Sequence, residues 1–207
     1  MAALPVTIAV KNIKCRIETD EVGADEPYVL VTAIDLKTFP LPTVEVTRYG
    51  PWGDVDKGET HSTMPLQPGF NPDNLPGIVW RRNAWGPSGN AKAIASPQDA
   101  IILVSMMEHD DGEPSAARTI VKGAVVSSLA ASSSLSRAQK VQKLIADING
   151  ALEIPTGAPN FDDRVGSTQE FVLSNSLLNV AAGPKTKTLT VVGDGGKYDV
   201  KLVVTKG

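Results

Sequence analysis

Strand-period alternation opens and closes this chain, and that pattern narrows its fold more than any other feature. Val6, Ile8 and Val10 alternate with polar neighbours, and Ile13, Cys15 and Ile17 resume the alternation with the opposite parity. This reads as one strand interrupted by a bulge near Lys11 or Asn12. At the far end Tyr198, Val200, Leu202 and Val204 alternate strictly. Before them, Gly193-Asp194-Gly195-Gly196 joins them to the strand Thr188 to Val192 through a tight hairpin turn. Pro27 to Ile34 is rich in β-branched and aromatic residues, Thr43 to Tyr49 alternates again, and Glu170-Phe171-Val172-Leu173 reads as a further strand. Ala100 to Met107, with Ile101, Ile102, Leu103 and Val104 in a row, has the composition of a strand buried on both faces.

The one strong helical period is Ser136 to Leu152, where Val141, Leu144, Ile145, Ile148 and Leu152 share a face; Thr119 to Ala131 is a small-residue segment that pairs with it. Packing of that apolar stripe on the chain's own strands is the commoner fate, against docking on a partner or membrane. Strands on either side of one helical excursion point to an all-β, antiparallel β-sandwich with a helical insertion at 113–160 inside a single domain spanning 1–207. The regular strand-helix alternation of a parallel sheet is missing. From Gly50 to Pro97 the chain is dense in Gly, Pro, Asn and Asp around the short apolar piece Ile78-Val79-Trp80, and reads as loops about one short strand.

A hydrophobic fraction of 42% and a charged fraction of 21% are those of a globular chain, and no apolar run has membrane-spanning length. The N-terminus lacks the basic start and apolar stretch of a secretory signal, which leaves a cytoplasmic location or release by a non-classical route open. A formal charge of -3 and scattered Lys and Arg argue against nucleic acid as a partner. The lone Cys15 excludes an internal disulfide and reads as a buried thiol. Trp52, Trp80 and Trp85 read as buried aromatics before a ligand platform, and Asp54 to Glu59 as a polar turn that lacks the full EF-hand pattern. The catalytic inventory is poor: no nucleophile elbow and no His-rich metal motif occur, and His109 next to Asp110 is a weak base and orienter pair. The expectation is a non-enzyme.

The sharpest chemical signal is Asp20-Glu21-Val22-Gly23-Ala24-Asp25-Glu26, four carboxylates between two strands. Like charges held together at the end of a sandwich repel, and a divalent cation relieves that repulsion. Hard oxygen ligands suit calcium; zinc or copper would call on His and Cys, of which the chain has His61, His109 and Cys15. A second acidic stretch, Glu108-His109-Asp110-Asp111, ends the apolar run.

Asp20, Gly23, Glu26, Pro27 and Tyr28, followed by Val29 to Val31, resemble the first calcium loop of the calcium- and phospholipid-binding C-two family. The resemblance implies Asp20 and Glu26 as ligands, with Glu26 where the family usually has Asp. Ile102-Leu103-Val104 leading into Glu108-His109-Asp110 resembles the opening of the family's third calcium loop, and Asp162-Asp163-Arg164-Val165-Gly166 its close. It therefore implies Glu108, Asp110, Asp162 and Asp163 as further ligands, with the helical segment inserted inside that loop. The implied function is a non-catalytic, calcium-binding module that engages an anionic lipid surface or a protein partner through its acidic loops. The other reading is a structural or assembly subunit in which calcium is only a staple; self-association stays open.

Overall fold

The computed structural model describes residues 3–19, 25–65, 78–110, 114–153 and 162–207. The strands are β1 (Pro5–Ile17), β2 (Pro27–Asp35), β3 (Thr43–Tyr49), β4 (Thr60–Ser62), β5 (Met64–Pro65), β6 (Trp80–Arg81), β7 (Lys92–Ala93), β8 (Ala100–Glu108), β9 (Gln169–Glu170), β10 (Lys185–Gly193) and β11 (Gly196–Lys206). The helices are α1 (Pro114–Ala131), α2 (Arg137–Leu152) and the single-turn α3 (Asn175–Leu178). One sheet runs β10-β11-β1-β4, with β7 also on β1; the other runs β3-β2-β8-β9. Pairing within both is antiparallel. The expected antiparallel sandwich is what the chain forms.

The core between the sheets joins Val6, Ile8, Val10, Ile13, Val200, Leu202 and Val204 of the first sheet to Val29, Val31, Ile102, Val104 and Met106 of the second. The intervening positions of β2 and β8 face the other way and are also apolar, except for Thr32 and Ser105. Leu30, Ile34, Ile101 and Leu103 lie under Val121, Val125 and Leu129 of α1 and Leu144 and Ile148 of α2. All nine residues of β2 and all nine of β8 are buried as a result. The helices thus form a third layer, and the expected run of a doubly buried strand at Ala100 to Met107 has its cause in that cover.

Helix α2 begins where Ser136 closes a capping box: Gln139 N donates to Ser136 Oγ (3.4 Å), and Ser136 N donates to Gln139 Oε1 (3.0 Å). Arg118 Nε donates to Val46 O (2.7 Å), occupying a carbonyl on the edge strand β3, and Arg137 Nη2 reaches Ala100 O (2.8 Å) and Glu170 Oε1 (2.7 Å). These polar ties add geometry to an association that burial drives, at roughly 1.5–3 kcal/mol for each large apolar side chain covered.

Several local expectations change in detail. The register of β1 shifts between Val10 and Asn12, where a bulge was expected, and shifts again between Cys15 and Ile17. The second bulge turns Ile17 to the outer face, 48% exposed, although its spacing from Ile13 and Cys15 places it inward. The strand expected at Glu170 to Leu173 pairs with β8 only through Gln169–Glu170; Phe171 N still donates to Ile102 O (2.8 Å), and Ser174 then caps α3. The described residues of segment 50–97 include four short strands, β4 to β7, two of them laid along β1. The hairpin turn is as expected, with Asp194 and Gly195 both at positive φ. Trp52 and Trp85 are buried, and Trp85 Nε1 donates to Lys92 O (2.9 Å). Cys15 is fully buried, and its burial pushes the thiol's pKa up. None of the described helices is long and apolar enough to cross a membrane.

Candidate functional site: the acidic end of the sandwich

Residue pairing at one end of the second sheet sets the site. Pro27 begins β2 opposite Glu108, the last residue of β8. Backbone bonds then stitch three segments together: Glu108 N donates to Asp163 O (2.8 Å), His109 N to Glu26 O (3.2 Å) and Val165 N to Met106 O (2.9 Å). Glu26, Glu108, Asp110, Asp162 and Asp163 therefore lie at one corner although they span the helical hairpin in sequence. Asp20 lies outside the described residues.

Their side chains divide into two kinds. Glu108 is 2% exposed, and its Oε1 accepts from Glu26 N at 2.6 Å. Asp162, with a side chain 7% exposed, accepts from Tyr28 Oη at 2.7 Å through Oδ2, and its Oδ1 meets Asp110 N at 3.3 Å and His109 Nδ1 at 3.0 Å. The Tyr28 and His109 rings meet edge to face at 6.4 Å. Burial, then the Asp162 carboxylate, push the Tyr28 hydroxyl's pKa well above its usual range. Glu108 and Asp162 thus hold the corner through the chain's own donors. Glu26 and Asp163 are exposed and Asp110 half-buried, so these three face outward.

Two partnerships escaped sequence reasoning. His109 turns to Asp162, not to adjacent Asp110, because neighbours on an extended strand end point apart. The second is Asp25, 2% exposed and passed over for its neighbour Glu26. Asp25 accepts from Thr19 N (3.0 Å) and Thr19 Oγ1 (2.8 Å) and from the hydroxyl of Tyr198, and its carbonyl accepts from Val55 N (3.0 Å). It closes the end of β1 onto β11 and the 54–59 turn. Burial, and then Asp25, push the Tyr198 hydroxyl's pKa far up. The available signal was that an inward tyrosine in an alternating strand needs an acceptor for its hydroxyl; spacing does not say which. The 54–59 segment is a turn in which Glu59 Oε2 accepts from Asp56 N (3.2 Å) and faces His61 Nε2 (2.9 Å).

Calcium asks for several carboxylate and carbonyl oxygens pointing at one centre. Among the described residues no three His, Cys, Asp or Glu side chains are gathered in that way. The commitments of Glu108 Oε1 and of both Asp162 oxygens supply a physical reason, since these atoms already meet protein donors. The described carboxylates do not by themselves make an ion site.

No family model matches this chain. No curated protein matches it either. Among solved structures it is similar to the C-two domain A of plant extended synaptotagmin 1, with 10% identity and a TM-score of 0.37 over 100% of this chain and 98% of that one. A likeness that low supports no conclusion about function, and the sandwich described above rests on its own strand pairing.

Proposed function

We propose that this chain is a non-catalytic, C-two-like binding module, one domain with its helical hairpin as an insertion, that works from the acidic end of the sandwich. The observation that supports this is the backbone convergence of segments 25–27, 106–110 and 162–165 at one end of the second sheet, where Glu26 and Asp163 are exposed and Asp110 is half-buried. Their hard oxygens attract a hard cation or the cationic part of a partner. Calcium is the ion that the sequence pattern favours, and in this reading Asp20, Glu26, Asp110 and Asp163 hold it. Glu108 and Asp162 keep a different task, which is to build the corner behind them. The partner is an anionic lipid surface or a protein that reaches this end.

Thermal melting with and without calcium tests the proposal. A ligand that binds only the folded state stabilises it by about 2.7 kcal/mol at a hundred times its dissociation constant. The expected result is a melting temperature that rises with calcium and stops responding in the Asp20→Asn/Glu26→Gln double variant. Indifference of the wild type to millimolar calcium removes the ion from the account.

A further inference from the structure

The outer faces of the two sheets differ. The helical hairpin covers one of them, whereas the outer face formed by β10, β11 and β1 carries polar and charged side chains. Cross-strand register sets Lys14 opposite Asp199, Lys201 opposite Asn12 and Thr188, and Lys197 opposite Ile17 and Val192. Arg16, at the second bulge of β1, lies alongside: its Nε and Nη2 donate to Asp199 Oδ2 at 2.8 and 2.6 Å. Thr190 Oγ1 donates to Asp199 Oδ1 at 2.7 Å. Burial alone would raise the pKa of Asp199, but the bonds from Thr190 and Arg16 and the charges of Arg16 and Lys197 outweigh it and bring it below the usual carboxylate range.

Four basic side chains thus face one carboxylate, on a chain whose formal charge is -3. Among the described residues Lys14, Lys197 and Lys201 make no ion pair; Asp199 is taken by Arg16. Between these groups lies an open cavity of about 490 Å³ lined by Arg16, Ile17, Thr190, Lys197 and Asp199. Much of that volume is open to solvent, so it admits the charged end of a small molecule without enclosing it. Its apolar rim is Ile17, 48% exposed, with Val192, 61% exposed, across from Lys197. The strands of this face present lysines and threonines outward and turn Tyr198 inward, so they offer no aromatic platform of the kind that holds the bases of a nucleic-acid strand.

We infer that this cavity is a binding site for a small phosphate ester, its anionic group held by Lys197 and the part of the Arg16 guanidinium not bonded to Asp199, and its organic part lying against Ile17 and Val192. Charge-assisted bonds from an ammonium and a guanidinium are the strong contacts for such an oxyanion. Lys14 and Lys201 raise the local positive potential. The site owes nothing to the acidic end.

The test titrates isotopically labelled protein with glycerol 3-phosphate at low ionic strength, following backbone amide resonances, with flotation on phosphatidylcholine vesicles containing phosphatidic acid as a second arm. The expected result is saturable movement of Ile17, Thr190 and Lys197 resonances. Lys197→Gln/Lys201→Gln weakens it at least tenfold with an unchanged melting temperature, and Glu26→Gln/Asp163→Asn leaves it intact. Response to the soluble ester alone identifies a free metabolite as the source of the phosphate; lysine-dependent flotation identifies a lipid headgroup. Either supports the site. No saturable shift and no flotation, binding that survives the double lysine variant, or binding of an oligonucleotide in place of the ester overturns it. A failure of the calcium test leaves this result untouched, so the two proposals fail separately.

Discussion

The two sheets of this sandwich meet the same core from opposite sides and treat their other faces differently. In the second sheet, the positions of β2 and β8 that face the helices are apolar apart from Thr32 and Ser105, and all of them are buried. In the first, β10 and β11 alternate between buried Leu189, Val191, Val200 and Leu202 and an outer row of Thr, Lys and Asp. The helical hairpin covers one outer face, and both binding sites proposed above lie elsewhere, on the other sheet and at the strand ends.

Substitutions under the helices break this comparison most directly. Leu103→Ala, on the helix-facing side of β8, is expected to cost about 2–5 kcal/mol in denaturant unfolding, while Lys201→Gln on the opposite outer face changes stability by under about 0.5 kcal/mol. Comparable losses at the two positions would mean that the hairpin does not seal the sheet.

Asp25→Asn is expected next, at about 1–3 kcal/mol, because it weakens the bonds from Thr19 and the hydroxyl of Tyr198 at a site 2% exposed. Phe39 and Leu41 offer the contrast. They sit in the β2–β3 turn at the other end of the sandwich, 92% and 70% exposed, and Phe39→Ser or Leu41→Ser shifts stability by under about 0.5 kcal/mol.

Acid and alkali separate the same regions. The chain has three tyrosines, Tyr28, Tyr49 and Tyr198, and burial pushes all three pKa values well above the usual range. A folded-state pKa raised in this way contributes stability that is complete below the unfolded value of about 10 and is lost as pH climbs beyond it. Tyrosinate absorbance should therefore stay silent in the native protein and develop together with unfolding; gradual titration of the folded state would contradict the buried hydroxyls. At the opposite end, burial would raise the pKa of Asp35, but bonds from Lys92 and Lys37 N bring it below the usual value. Its contribution is present above about pH 4 and fades as pH falls through the folded-state value. Asp35→Asn should remove that small part of the acid sensitivity.

Period-2 alternation exposed the sandwich because, outside the bulges of β1, the inward residues of β1 and β11 are separated by one outward residue. The apolar run of β8 reported cover on both faces, and Ser136 with the stripe through Val141, Leu144 and Ile148 reported the helix. The bulge at Arg16 stayed hidden, since nothing in Cys15-Arg16-Ile17 marks a register shift. At the candidate site, strand ends and acidic runs located the corner, but roles within it depended on partners far away. Glu108 meets Glu26 N, Asp162 meets Tyr28, and Asp25 meets Tyr198, pairings that only the folded register brings about. The basic face on β1 and β11 was illegible for the same reason: Lys14 and Lys201 are neighbours only across strands, and along the chain each lysine looks scattered.

Amide resonance mapping of the labelled protein during a calcium titration tests most directly whether the acidic corner is the working end. The account predicts saturable shifts grouped at residues 20–26, 108–111 and 162–163, with the resonances of β10 and β11 unmoved. Shifts spread over the strand faces, or none at millimolar calcium, would contradict it.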